Sequence, residues 1–217
     1  MRTKPIGFLA VAVALICLGL IVSRAQELKP IALPTAQTEA GKPLMQALKQ
    51  RQTVRELKPD KLPDQVLANL LWAGFGINRP ESGRRTAPSA MNSQEVDLYV
   101  AMPQGLYIYE PKPHQLQPVL AKDLRAKTSG QPFATNAPLV LIYVADLPRL
   151  TKARPEQREF YAAIDTGCIS QNIYLCCASE GLATVVFDLN RAALAAAMQL
   201  RSEQKIILAQ AVGYPSN

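Results

Sequence analysis

The chain has 217 residues, of which 48% are apolar and 19% charged, and it carries a formal net charge of +7 with a single histidine. One histidine nearly excludes hydrolysis by a histidine-dependent triad. Lysine and arginine are scattered and adjacent only at Arg84-Arg85, which argues for a solvated basic surface and against a nucleic-acid partner.

The first 25 residues form a unit of their own. Arg2 and Lys4 precede an uncharged apolar run from Ile6 to Val22, and Ser23-Arg24-Ala25 offers a small-x-small cleavage site. This is the pattern of a secretory signal peptide. An uncleaved membrane anchor is the alternative, because the run is long for a signal core yet short for a spanning helix of about 20 residues. Cleavage after Ala25 is expected, giving an exported, periplasmic or otherwise extracytoplasmic protein whose charge falls from +7 to +4. Ile16 before Cys17 does not suit a lipid-modified cysteine, and no twin-arginine pair precedes the apolar core.

Residues 26–42, with Pro30, Pro34 and Gly41, read as an extended linker or arm, and the folded domain is expected from Pro43 to Asn217. Pro43 opens a helix in which Leu44, Met45, Ala47 and Leu48 recur up to Arg51. A second helix opens at Pro63-Asp64 and runs to about Ile77, with Val66, Leu67, Leu70 and Leu71 on its apolar side. From Asn78 to Gln94 the Gly, Pro, Ser, Asn and Arg content predicts a long loop holding at most a short helix, and long loops in compact domains tend to be functional.

Three strands follow, Val96 to Met102, Leu106 to Glu110 and Gln115 to Leu120, separated by turns at 103–105 and 111–114. Lys122 to Lys127 suggests a short helix. Leu139 to Ala145 is a continuous apolar run, the mark of a buried central strand. A long helix is expected from Pro155 to Glu180. Phe160, Ala163, Ile164, Gly167, Cys168, Gln171, Tyr174, Leu175 and Ala178 line one face of it, and Gly181 ends it. A strand at 183–187, a helix at 191–200 and a strand at 205–212 complete an α+β order with no internal repeat.

Cys168, Cys176 and Cys177 all fall within the long helix and read as small apolar residues rather than a disulfide framework. No metal site is expected. His114 sits in a Pro-Lys-Pro-His turn without a second ligand pair at metal spacing and reads as a solvated turn residue. Glycine-rich nucleotide loops, a phosphate-cradling loop and a nucleophile elbow are absent from the sequence. What stands out are polar clusters in otherwise apolar surroundings: Arg51-Gln52-Thr53-Val54-Arg55, the Arg85 to Asn92 segment, and Gln171-Asn172 in the long helix. Asp165, on the same helix, reads as a helix-surface residue, with a pocket acid as the alternative.

In this order, over most of Pro43 to Pro215, these elements resemble the FMN-dependent nitroreductase family. ALKQRQTVRELKPDKLPDQVLANLLWAGFGINRP is similar to the family's Arg-x-Ser/Thr-x-Arg opening and the helix after it, which ends in Trp-Ala-Gly/Ala. RTAPSAMNSQEVDLYV resembles the Pro-Ser-x-x-Asn flavin loop, DTGCISQNIYLCCASEGLATVV the long central helix, and VGYP the closing motif. Within the family, RTAPSA and the GLYIYEPKPHQLQPVL hairpin are most similar to the branch of azoline dehydrogenases from peptide-modifying systems.

The resemblance implies a three-layer α/β/α sandwich with a mixed, mainly antiparallel sheet, expected as an interlocked homodimer binding FMN at its interface. Arg51 and Thr53 would hold the ribityl-phosphate chain, with Arg55 and Gln52 beside them. Two arginines and a hydroxyl suit a phosphate dianion through charge-assisted bonds. Pro88, Ser89, Ala90 and Asn92 would approach the isoalloxazine ring from the partner subunit, and Gln171 with Asn172 would lie at the interface near the cofactor. Two departures from the family pattern stand out. The strand after the long helix reads Val185-Val186-Phe187-Asp188-Leu189 without the glycine many members place there, and no base follows Gly213-Tyr214-Pro215, which leaves Arg84, Arg85 or Arg191 to supply one.

The expected activity is hydride transfer by bound FMN from a donor, NAD(P)H among the candidates, to a small organic acceptor such as a nitro compound or quinone. An azoline-type substrate dehydrogenase is the alternative within enzymology. A non-catalytic flavin-binding or interaction dimer is the alternative outside it.

Overall fold

A computed structural model describes residues 27–216, so the segment expected to act as a signal lies outside the described residues. The framework is a seven-stranded sheet in the order β1-β6-β5-β4-β7-β9-β8. Its strands are β1 (Ile31–Ala32), β4 (Val96–Met102), β5 (Gly105–Glu110), β6 (Gln115–Leu120), β7 (Leu139–Asp146), β8 (Ala183–Phe187) and β9 (Gln204–Gly213). All six pairings within it are antiparallel, so the mainly antiparallel sheet that was expected has no parallel member among the described residues.

β7 is central because every one of its residues is apolar or small enough to bury on both sides, up to Asp146 at its end. Alternate residues divide two cores. Leu139, Leu141 and Tyr143 face one layer with Leu98, Val100 and helices α2 (Asp64–Phe75) and α5 (Arg158–Glu180). Val140, Ile142 and Val144 face the other, with Leu194 and Met198 of α6 (Arg191–Met198) and Ala134 of α4 (Pro132–Asn136). This is the three-layer sandwich. α4 was not anticipated, and neither was the small hairpin β2 (Ile77–Arg79) and β3 (Arg84–Arg85) inside the predicted loop. α3 (Arg125–Thr128) occupies the end of the short helix expected there.

The arm is stitched to the domain along its length. β1 pairs with β6, Gln37 N–H donates to Asn69 Oδ1 at 2.8 Å on α2, and Lys42 N–H donates to Ser179 Oγ at 2.7 Å on α5. His114 holds it too. Its Nε2 lies 2.9 Å from the Pro34 carbonyl, which can only accept, so Nε2 carries the proton and Nδ1 accepts from the Tyr109 hydroxyl at 2.7 Å. The ring therefore works as a tie between hairpin and arm, where the turn sequence suggested a solvated residue.

α5 corrects the sequence reading in one respect. Its core-facing residues are Ala162, Asp165, Thr166, Ile169, Ser170, Ile173 and Cys177, whereas Phe160 is 64% exposed and Ile164 47%. The apolar stripe that marks the helix in sequence thus turns away from the sheet. Small and hydroxylic side chains form the inner face because Ser170 Oγ donates to Gln210 Oε1 at 3.0 Å inside the sheet, and larger residues would hold the helix off. α1 (Leu44–Gln50) behaves likewise: only Ala47 is buried, and Leu44, Met45 and Leu48 are exposed. Gly181, at φ +72°, takes the left-handed conformation that stops α5, as its sequence position implies. Cys177 is buried, Cys168 and Cys176 are half-buried, all three are free thiols, and burial pushes the Cys176 thiol up to about 12. Among the described residues no helix is long and apolar enough to cross a membrane.

α2 meets α5 at Gly74, where an added Cβ would lie 2.5 Å from Ile173 Cδ1 and 2.9 Å from its Cγ1. The bare backbone sets the helix spacing. Gly74→Val is expected to lower stability by about 1–3 kcal/mol through overpacking, read from urea unfolding. Shortening Ile173 to Ala in the same chain should return part of the loss.

Candidate functional site

The polar clusters singled out in the sequence occupy two places on α5. The first surrounds Arg51, where α1 ends and the backbone turns extended at φ −56°, ψ 121°. Val54 N–H donates to the Thr184 carbonyl at 3.0 Å, and Leu57 bridges Pro215, so the segment runs beside the end of the chain. Arg51 lies over the Tyr174 ring at 5.5 Å, and Thr53 Oγ1 is 3.1 Å from the Tyr174 hydroxyl, which also accepts from Val186 N–H at 3.0 Å. Tyr174 is therefore the post on which the Arg51–Arg55 segment stands. In sequence it appears only as one apolar position of the helix.

Arg51, Thr53 and Arg55 keep at least part of their surface in solvent. Gln52 and Val54 line a cleft of about 420 Å3 with Lys42, Lys49, Thr184 and Tyr174 itself. Lys42 is committed there, donating through Nζ to Gln50 Oε1 at 2.7 Å and to the Ala178 carbonyl at 3.0 Å. Of the bases considered as substitutes for a C-terminal one, Arg191 is engaged with the Ile206 and Ile207 carbonyls and with Asp188, and Arg85 packs 3.8 Å from the Phe75 ring centre. Arg84 and Arg191 are exposed, and Arg85 is half-buried. Val186 N–H, in the strand without the family glycine, is taken by Tyr174.

The second place is the Pro88–Asn92 loop, which is wound tightly. Ala90–Asn92 form a 3-10 turn, and Met91, Asn92 and Gln94 have φ of 55°, 54° and 49°. Left-handed conformations at residues other than glycine carry a cost of order 1 kcal/mol or more each and persist where the surroundings hold them. Those surroundings are visible. Ala90 N–H donates to Asp165 Oδ2 at 2.7 Å, Gln94 N–H donates to Ser89 Oγ at 2.7 Å, and Ser89 Oγ–H in turn donates to Glu95 Oε2 at 3.4 Å. Arg85 Nε donates to Gln94 Oε1 at 3.1 Å.

Asp165 is thus no surface residue; it is 4% exposed and holds the loop from below. Helical periodicity places it beside Ala162 and Ile169 on the inner face, and that was the signal available. Glu95 is fully buried opposite it, and desolvation, with Asp165 as the neighbouring charge, pushes its carboxyl up to about 7. Burial also pushes Arg85 down to about 10, which leaves it protonated at neutral pH.

The two clusters do not meet within one chain. Asp165 and Tyr174 are nine residues apart on α5, roughly 13 Å along the axis and half a turn around it. Between them runs the exposed stripe of Phe160, Ile164, Gly167 and Gln171, one residue per turn.

Residues 48–214 match the model of the nitroreductase family. The chain belongs to the nitroreductase family. It is similar to a candidate nitroreductase of Ralstonia eutropha whose crystal structure shares 41% identity at a TM-score of 0.83, covering 88% of this chain and 91% of that one. A curated candidate nitroreductase of Methanocaldococcus jannaschii is 31% identical over 152 residues, 65% of this chain and 76% of the relative. A candidate nitroreductase of Desulfovibrio desulfuricans, solved in complex with FMN, shares the fold at a TM-score of 0.59 and 21% identity, covering 82% of this chain and 89% of that one. Family membership makes the protein an oxidoreductase.

Tyr174→Phe removes a hydroxyl that serves two partners and strands the Val186 N–H. The expected loss is about 1–3 kcal/mol of stability in urea unfolding, the cost of a buried donor left without an acceptor. Thr53→Ala, which leaves Tyr174 bonded to Val186, should cost clearly less.

Proposed function

We propose that the protein is a homodimeric flavin oxidoreductase that binds FMN where the Arg51–Arg55 segment of one subunit meets the Pro88–Asn92 loop of the other. The exposed stripe of α5 carries this reading. Phe160, Ile164 and the bare Gly167 form an apolar surface on a helix whose opposite face is fully used by the sheet. Burying such a surface against a second copy is favoured by about 25 cal/mol per Å2. Pairing two α5 helices antiparallel about a two-fold axis sets the Asp165 end of one against the Tyr174 end of the other, which joins the two clusters that a single chain keeps apart.

The donor set fits the cofactor. Arg51 and Arg55 provide guanidinium forks and Thr53 a hydroxyl on an extended, partly exposed segment, as a phosphate dianion with a polyol chain requires. The loop contributes small side chains and backbone groups at Pro88, Ser89 and Ala90, with the Asn92 amide exposed beside them. Bound FMN supplies two-electron transfer between a hydride donor and an acceptor stacked on the ring. The chain binds and orients it and excludes water, and none of its residues need exchange a proton with substrate. NAD(P)H, a quinone or a small redox protein serves as the electron partner, and a nitro compound or quinone is the acceptor class.

The segments similar to azoline dehydrogenases, RTAPSA and the β5–β6 hairpin, favour a second reading in which a small substrate is the hydride donor. The leader-like pattern of residues 1–25 supports an activity outside the cytoplasm.

Purified protein with added FMN is expected to show a bound-flavin absorption spectrum at one per subunit. Arg51→Ala should weaken FMN binding by roughly 1.5–3 kcal/mol, the worth of a bond to a charged group, by fluorescence titration. Phe160→Glu with Ile164→Glu is expected to give monomers on gel filtration that bind no flavin. Monomers that keep full affinity would refute the shared site.

A further inference from the structure

The Pro88–Asn92 loop has a single 3-10 turn to hold it, yet two of its residues, Met91 and Asn92, and the neighbouring Gln94 sit in left-handed conformations. Its restraint comes from two buried carboxyl groups far apart in sequence. Asp165 on α5 accepts from Ala90 N–H, and Glu95 at the foot of β4 accepts from Ser89. Both line the small cavity of about 20 Å3 beneath the loop, walled by Phe75, Ala87 and Ile169.

The two buried carboxyl groups line one small cavity and neither belongs to an ion pair among the described residues, so charge on both at once is disfavoured and one of them holds a proton. Glu95 is the better carrier. Asp165 already accepts a backbone N–H, which favours its charge, whereas Glu95 Oε1 has no donor within reach. The other charged groups nearby do not change this assignment. Arg85 of β3 lies over Phe75 and has Glu95 as only a weak charge partner, while Asp97 of β4 and Asp146 of β7 are both paired with Arg149, and Asp146 also with Arg201. Asp146 meets Glu95 through the backbone alone, its N–H donating to the Glu95 carbonyl at 2.8 Å.

We propose that Glu95 is a positioning residue for the flavin site: as a neutral acid beside Asp165 it locks the Pro88–Asn92 loop in its binding shape, and loss of that one proton lets the two carboxylates repel and releases the loop. The link to flavin rests on the function proposed above. The carboxyl touches no substrate and takes no part in the redox step.

The sign follows from linkage. If the binding shape requires the proton, FMN affinity is level below the Glu95 pKa, which burial sets at about 7, and falls above it by up to tenfold per pH unit. Between pH 7 and 9 the FMN phosphate is already a dianion, its second ionisation lying near about 6, so the cofactor does not contribute the slope.

The test is the dissociation constant of FMN from the full protein between pH 6 and 9, by fluorescence quenching, in parent and Glu95→Gln. The carboxamide is uncharged and can still accept from Ser89, so the variant is expected to bind at the parent's low-pH affinity with no slope. Carbon-13 NMR of the flavin-free parent should show one glutamate carboxyl, absent from Glu95→Gln, titrating near 7, with the Ala90 amide shift following it. Stoichiometric binding with a flat parent profile, or a variant that keeps the parent's slope, overturns the proposal while leaving the flavin site standing. No FMN binding at any pH overturns the flavin reading and the proposal with it. Should Glu95→Gln fail to fold, the parent profile and its carboxyl titration decide alone.

Discussion

A glutamine amide buried in the middle of a sheet has no water to turn to, and Gln210 fixes the site by the partners it must have. Its oxygen accepts from Tyr143 on β7 and Ser170 on α5, and its nitrogen donates to Thr184 Oγ1 on β8 at 3.0 Å, which passes its own proton to the Ala211 carbonyl. Leaving any one unpaired at zero exposure would cost about 1–3 kcal/mol, so the network is satisfied in full or disrupts the core around it. It sets the rotation of α5 about its axis. That rotation turns Asp165 under the loop and Tyr174 toward Thr53 and Val186, and leaves Phe160 and Ile164 outside.

The two ends of α5 do different chemical work. At the Tyr174 end, guanidinium and hydroxyl groups are presented on an extended segment that stays open to solvent. At the Asp165 end, a strained loop is held from inside by groups that solvent does not reach. A long rigid helix keeps these two environments a fixed distance apart. The proposed site across two copies would inherit that distance without either loop having to reach for it.

How much of this was legible depends on the kind of signal. β7 announces itself as a run of apolar residues, and α5 is bracketed by Pro155 and Gly181. The family order of the Arg51–Arg55 cluster, the Pro88–Asn92 loop and the long helix is equally visible, and the matched span of residues 48–214 agrees with it. Periodicity shows that α5 has an apolar stripe but not what the stripe faces. The inner face is built of Ala162, Thr166 and Ser170, whose role depends on Gln210, forty residues further on from Ser170. Glu95 was beyond sequence reasoning for the same reason, and Asp165 carried only the signal of the helical period. A charged residue reads as exposed until its partner is brought to it by the fold. α4, with only five residues, is too short for any period to register.

The arm at residues 27–42 ties the beginning of the domain to its last third, since Lys42 binds Ser179 and Ala178 across 137 and 136 positions of sequence. Leu57 likewise waits for Pro215. During synthesis from the N-terminus, the arm emerges long before the α5 residues that hold Lys42. Contacts of such separation are closed late and slow folding, because the loop entropy must be met before they form. Until α5 is complete, the Lys42 end of the arm lacks its seat even after β1 has paired with β6, and such an open end is the form in which a chain is most readily held by a chaperone.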